Sequence, residues 1–230
     1  MIFKNAVFYF VALLLVLIGG FWKSYFSVLD SDISLAQHFH GISMLLWVLL
    51  LISQSWLVRR QNMKLHRATG KLSFVLAPLV VWSGLLVVLD NLAKQDDPFT
   101  QGALNILWFG IFLVLLFALL YGLAIFYRKN MHLHARYMIS TALVFLVPGL
   151  SRLFGALSRN LGVWMPDLYQ TTMLAWAIGI VLLLMDRKAG QFRAPFAVFT
   201  VLWGIHLWLF KNIYMFEWWH DFARWYLSFA

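Results

Sequence analysis

The chain has 230 residues, of which 63% are hydrophobic and only 12% are charged, whereas a soluble domain has roughly 25% charged residues. This composition excludes an ordinary soluble core and indicates an integral membrane protein. The absence of cysteine excludes disulfides, iron–sulfur clusters, thiolate metal sites and a cysteine nucleophile. On a soluble protein the net charge of +9 would suggest nucleic acid. Here the basic residues cluster in short loops, so we expect no nucleic-acid partner and attribute the charge to membrane topology.

Seven apolar segments are long enough to cross a bilayer as helices, which requires about 20 residues each. In chain order they are residues 5–22, 36–58, 71–92, 102–127, 137–157, 168–185 and 195–215. The first segment could imitate a signal peptide, but no small-x-small cleavage site follows it, so we expect a retained helix. The connections are short and no linker divides the chain. The sequence therefore predicts one all-α transmembrane domain over residues 1–230, a bundle of about seven helices.

Charge predicts the orientation of this bundle. The connections after the second, fourth and sixth segments lie on one side of the membrane and hold Arg59, Arg60, Lys64, Arg67, Lys71, Arg128, Lys129, Arg136, Arg187, Lys188 and Arg193. Of the 9 acidic residues, only Asp186 falls on that side. The positive-inside rule makes the basic side cytoplasmic. We therefore predict a multi-pass protein of the bacterial inner membrane, surrounded by lipid, with both termini facing outward.

The last 18 positions, residues 213–230, form an aromatic tail in which Trp, Phe and Tyr alternate with charged residues. Such a pattern is typical of an amphipathic helix lying in the headgroup region of the membrane. The tail is therefore predicted to be an interfacial aromatic helix or an extension of the seventh helix.

Two similar histidine motifs precede the third and fifth segments on the basic side. They are Met63-Lys64-Leu65-His66 and Met131-His132-Leu133-His134. The motifs place two imidazoles at similar depth on two parallel helices, and bundle cores build cofactor sites from facing side chains of this kind. We therefore predict a b-type haem between His66 and His134. Its propionates could pair with Arg67, Lys71 or Arg136. The alternative is that both histidines contact lipid headgroups from a basic loop.

Three more ionisable residues are predicted within the membrane, namely His40, Arg152 and His206. Such side chains are costly in a bilayer and by default mark a functional site. The neighbouring His38 and His40 point about 200° apart on a helix, so one of them faces the bundle. His40, His206 and Arg152 could converge on a metal, a haem with its propionate, or a polar substrate. For His206, the alternative is a structural histidine bonded to a neighbouring helix.

The stretch His66-Arg67-Ala68-Thr69-Gly70 resembles a His-Arg-x-x-Gly element of bacterial multi-helix membrane proteins. With histidines near both faces, the arrangement also resembles the two-haem transmembrane cytochromes b, over about residues 36–157. That resemblance implies one haem ligand from each of four consecutive helices. The predicted fourth helix, 102–127, has no histidine, so either His206 substitutes for the missing ligand or one haem is bound.

Three hypotheses remain open at this point. The first is a b-type haem protein, a candidate membrane oxidoreductase, that takes electrons from quinol or another donor through His66 with His134 and through His40 with His206. The second is a hydrolase in which histidine-bound zinc activates water, although the H-x-x-x-H pair of seven-helix zinc hydrolases is absent. The third is a transporter or accessory subunit, as a homodimer or with a membrane partner subunit that contacts the aromatic tail.

Overall fold

The structure is a computed structural model that describes residues 5–29, 33–188 and 194–230. These residues contain no strand, and their α-helices are α1 (Ala6–Phe21), α2 (Leu35–Arg59), α3 (Met63–Gly70), α4 (Ser73–Ala93), α5 (Gln101–Phe126), α6 (Met131–Leu161), α7 (Leu168–Lys188), α8 (Ala194–Asn212) and α9 (Glu217–Leu227). Short 3-10 turns at Phe26–Val28 and Ile213–Met215 precede α2 and α9.

Six of the described helices are long and apolar enough to cross a membrane, namely α2, α4, α5, α6, α7 and α8, the last with its following 3-10 turn. Helix α1 is apolar but has only 16 residues. At 1.5 Å per residue it spans about 24 Å, which is less than the hydrocarbon core of about 30 Å. The predicted all-helical fold, with several helices long and apolar enough to cross a membrane, is thus confirmed for the described residues.

Two helix starts on the basic side are not indicated by the hydropathy pattern. Residues before the third predicted segment form the separate helix α3, and α6 starts at Met131 rather than at residue 137. In each case an asparagine side chain accepts hydrogen bonds from the first turn, Asn62 from Leu65 N and Asn130 from His132 N and Leu133 N. Such caps start a helix in polar sequence, where hydropathy gives no signal.

The helices pack with α1 along α6, α2 beside α4, α5 between α4 and α6, and α7 beside α8. Helices α1 and α6 contact each other at Gly20 and Gly149. A Cβ on Gly20 would lie 2.2 Å from the Gly149 carbonyl oxygen, so the two backbones touch directly. Small residues permit such close approach between membrane helices. The core alongside this contact is aromatic, with Trp47 packed edge-on against Phe117 at 4.9 Å.

One end of the bundle, here called the basic face, carries the connections with Arg59–Lys71, Arg128–Lys129 and Arg187–Lys188. Helix α1 begins there, because Arg59 Nη1 donates to Asn5 Oδ1 at 3.4 Å. It ends at the opposite face, where Lys23 Nζ donates to Asn160 Oδ1 at 3.1 Å. Since α8 also runs from the basic face to the opposite face, Asn5 and Ala230 lie at different ends of the bundle. The prediction that both termini face outward does not fit this arrangement, because Asn5 and Ala230 lie at different ends of the bundle.

The aromatic tail folds back onto the bundle instead of extending α8. The chain turns at Phe216, and α9 then packs against α4 and α5. Trp219 Nε1 donates to the Leu104 carbonyl at 3.1 Å, and the Tyr226 hydroxyl donates to the Leu85 carbonyl at 2.5 Å. The outer surface of this segment stays aromatic and exposed at Trp218, Trp225 and Phe229.

Candidate functional site

The two predicted histidines of the basic face occupy equivalent positions on their helices. His66 and His134 are each the fourth residue after a capping asparagine, and their backbone N–H groups donate to the carbonyls of Asn62 and Asn130. Both side chains are half-buried. The repeated motif therefore produces the same local structure twice, with an asparagine cap at the helix start and a histidine four residues later.

The electrostatic surroundings of His66 include His134. Burial lowers the pKa of the His66 imidazole, and the charges of His134 and Arg67 lower it further. A hydrogen bond with the backbone of Gln54 acts in the opposite direction and raises this pKa. The His134 Nδ1 lies 2.9 Å from the Ala124 carbonyl. Since a carbonyl only accepts, Nδ1 carries the proton and a neutral ring keeps its lone pair on Nε2. His66 Nδ1 is buried without a hydrogen-bond partner.

The two arginines predicted near this pair differ in their surroundings. Arg67 is exposed on α3. Arg136 is buried and forms a two-point ion pair with Asp186 of α7, with N–O distances of 2.5 and 2.7 Å. The sequence analysis did not identify Asp186 as a partner of Arg136. The sequence did contain a signal, since Asp186 is the only acid among the basic connections and a buried acid needs a cation. The guanidinium of Arg136 thus joins α6 to α7.

His40 and Arg152 both line a central cavity of about 360 Å³ between α1, α2, α4, α5 and α6. His40 Nδ1 lies 3.2 Å from the Ser83 hydroxyl. The neighbouring His38 instead meets the Tyr25 hydroxyl at 3.4 Å, so His40 is the histidine of this pair that faces the interior. Most of the remaining wall is apolar, and Gln37, Asn91 and Gln95 line the end towards the opposite face.

His206 does not line this cavity. Its ring is fully buried in an aromatic enclosure formed by Trp108, Phe109, Phe112, Trp203 and Phe210. The Phe112 ring stacks on it with a centroid distance of 4.1 Å. Neither ring nitrogen has a hydrogen-bond partner among the described residues. The structure thus brings His40 and Arg152 to one cavity and leaves His206 apart from both.

A second opening of about 440 Å³, here called the basic recess, lies between the ends of α1 and α6 at the opposite face. It is lined by Lys23, Arg152 and Arg159, with Ser24, Ser151 and several glycines. Arg152 also lines the central cavity, so the two spaces adjoin. The sequence reasoning missed Lys23 and Arg159. The sequence could have indicated both residues, because they are among the few cations predicted on the face where acidic residues are more numerous.

Among the described residues, no group of three or more His, Asp or Glu side chains is arranged to hold a metal ion. Comparison with known proteins adds no identification, since no family model, curated protein or solved structure matches this chain.

Proposed function

We propose that this chain is a seven-crossing protein of the bacterial inner membrane, with its basic face in the cytoplasm. Helix α1 would supply the seventh crossing. Two observations support this role, namely its direct backbone contact with α6 and its run from Asn5 at the basic face to Lys23 at the opposite face. The positive-inside rule then places the N-terminal end of α1 inside and α9 outside.

Within this framework we propose a b-type haem held by His66 and His134. One observation carries the proposal. The imidazoles of His66 and His134 are half-buried at equivalent positions on α3 and α6, and His66 Nδ1 is buried without a hydrogen-bond partner among the described residues. Metal-ligating histidines characteristically donate their second ring nitrogen to a carbonyl, as His134 does to Ala124. Two imidazoles on different helices are the donor set that a bis-histidine haem requires, and this supports the proposal.

The chain's own residues have distinct parts in this proposal. Because burial lowers the pKa of His66, its ring is neutral near pH 7 and able to ligate. Arg67 is close enough to influence His66 and is suited to bind a propionate. Arg136 holds α6 in place through Asp186. A bound haem would supply one-electron transfer, and we propose a membrane-soluble quinol as the donor class. Among the described residues, no three-ligand group supports the zinc alternative.

The test is an absorption spectrum of the full-length protein, purified in mild detergent from cells supplied with a haem precursor. A Soret band that shifts and sharpens after dithionite reduction is expected. His66→Ala and His134→Ala should each remove most of this absorbance. His132→Ala is the matched control, because this exposed residue lies on the same helical turn as His134 and should leave the spectrum unchanged.

Two outcomes would refute the haem proposal. One is a colourless wild-type protein that elutes as a single folded species. The other is a pigment that survives both substitutions. A spectrum lost equally in the His132→Ala variant would show that the helix start is disturbed, and His132→Gln, which retains a polar side chain, would then serve as the control.

A further inference from the structure

The basic recess contains three cations and no acid. Among its lining residues, Lys23, Arg152 and Arg159 carry positive charge, and no aspartate or glutamate is present. The lining of the central cavity also contains no aspartate or glutamate, and its ionisable residues are Tyr25, His40 and Arg152. The ion pairs of the described residues all lie elsewhere. Three like charges that line one opening, with no acid among its described lining residues, favour an anion between them.

The neutral partners of these cations leave most of their donors available. Lys23 Nζ donates to the Asn160 side-chain amide oxygen at 3.1 Å. Arg152 Nη1 donates to the Pro148 carbonyl at 3.1 Å, and its guanidinium lies 4.5 Å from the centre of the Phe21 ring. Each contact uses one of several N–H groups. A carboxylate or phosphate would accept the others in charge-assisted hydrogen bonds, which are stronger than neutral ones.

The adjoining central cavity is shaped for an apolar chain. On α5 its lining extends from Gly102 to Phe117, a length of roughly 22 Å at 1.5 Å per residue. Its walls include Leu17, Met44 and Val144. A volume of about 360 Å³ lies at the low end of the range for small-molecule sites, roughly 300–1,000 Å³. This volume suits one hydrocarbon chain better than two.

We propose that the basic recess and the central cavity together bind a single-chain anionic amphiphile. Its carboxylate or phosphate head lies among Lys23, Arg152 and Arg159, and its hydrocarbon chain extends between α2, α4, α5 and α6. Arg152 is the specificity residue, because it lines both spaces and so stands where head and chain join. This site is separate from the His66–His134 pair, and the proposal does not depend on a bound haem.

The test measures saturable binding of radiolabelled palmitate to the full-length protein in a neutral detergent. Unlabelled hexadecyl phosphate should compete as well as palmitate, whereas hexadecanol, which has the same chain without the charge, should not. Arg152→Gln should weaken binding about tenfold or more, as expected for a lost charge-assisted hydrogen bond. Arg152→Lys should keep the selectivity for the charged head. Met44→Phe, which narrows the cavity, should weaken binding of palmitate more than that of a shorter fatty acid.

The matched control is Lys211→Gln. Lys211 also contacts an aromatic ring near the opposite face, at 4.3 Å from the centre of Tyr169, but it lines neither space. Its substitution should leave palmitate binding unchanged. Equal competition by hexadecanol, or full affinity in Arg152→Gln, would overturn the proposal. Displacement of palmitate by inorganic phosphate alone would also overturn the proposal, because the site would then bind a free anion and not an amphiphile. Tighter binding of palmitate than of hexadecyl phosphate would identify the ligand as a fatty acid, and the reverse order would identify it as a phosphorylated lipid.

Discussion

Arg136 and Asp186 form a charged pair in which each side chain is only 1% exposed. Asp186 is the single acid among the basic connections, so its need for a cation could be predicted from the sequence. Which of the many cations would pair with it could not, because the answer depends on how α6 packs against α7. The sequence interpretation assigned Arg136 to a haem propionate, whereas its position on the α7 side of α6 gives it a structural partner.

We predict that Asp186→Asn destabilises the protein by about 3–5 kcal/mol, because it leaves a buried guanidinium without its counter-charge. The double variant Arg136→Met with Asp186→Leu should cost far less, since it removes both charges. The control is the exposed pair Asp221–Arg224, where Asp221→Asn should change stability by less than about 1 kcal/mol. Thermal unfolding in detergent, followed by tryptophan fluorescence, measures all three. A similar loss for Asp186→Asn and for the double variant would contradict the argument.

His206 illustrates a different limit of sequence reasoning at the level of one side chain. Its position within an apolar segment identified it as unusual, and its burial is complete. The sequence could not show that five aromatic rings from α5 and α8 enclose it, because those rings come from positions spread over two helices. Its two ring nitrogens are left unpartnered among the described residues, which is the most costly arrangement for a buried polar group.

His206→Phe is therefore expected to stabilise the protein, by about 1–3 kcal/mol, since it keeps the stacked ring and removes the unpartnered nitrogens. The haem content should be unchanged in this variant. The two readouts are the midpoint of thermal unfolding and the Soret absorbance per protein. Loss of about half the absorbance would instead identify His206 as the ligand of a second haem, as the resemblance to two-haem cytochromes b implies.

At the level of whole helices, the apolar segments could be located from sequence because hydropathy depends only on local composition. The helix starts at Met63 and Met131 were missed, since both lie in polar sequence and are set by the side chains of Asn62 and Asn130. The sequence also left open whether α8 continues into the aromatic tail or the tail forms a separate helix. The hydrogen bond from Trp219 to the Leu104 carbonyl holds α9 against α5, and it joins residues that are far apart in the chain. Long-range contacts, not local pattern, thus fix these boundaries.

The contact between α1 and α6 gives a prediction at this scale. Gly20→Ala should destabilise the protein by about 1–3 kcal/mol, because the added Cβ would lie 2.2 Å from the Gly149 carbonyl oxygen and would push two backbones apart. Gly19→Ala is the matched control, since its Cβ would meet only the Leu153 side chain at 3.4 Å. The measurement is again thermal unfolding. Equal stability of the two variants would argue against a direct backbone contact.

For the whole molecule, the proposed orientation predicts different results at the two ends of the chain. A reporter that fluoresces only in the cytoplasm should be active when fused before Met1, and alkaline phosphatase, which folds only outside, should be active when fused after Ala230. This follows from the basic face lying inside and from the odd number of crossings. Phosphatase activity from fusions at both ends would restore the original prediction that both termini face outward.

The two candidate sites differ in how far the sequence revealed them. The repeated motif around His66 and His134 indicated the first site, because both histidines lie near the start of a helix on the same face. The central cavity and the basic recess could not be predicted as spaces, because they arise from the packing of α1, α2, α4, α5 and α6 around one another. Only the isolated cations Lys23, Arg152 and Arg159 gave a sign of them.

The direct contact between Gly20 and Gly149 has a consequence for the order in which the protein is made. Helix α1 leaves the ribosome before its main neighbour α6, which follows more than a hundred residues later. Because synthesis adds about 5–20 residues per second, α1 must wait several seconds in the bilayer with its glycine surface uncovered. During that interval this short helix depends on lipid, or on the insertion machinery, to shield the surface that α6 later covers.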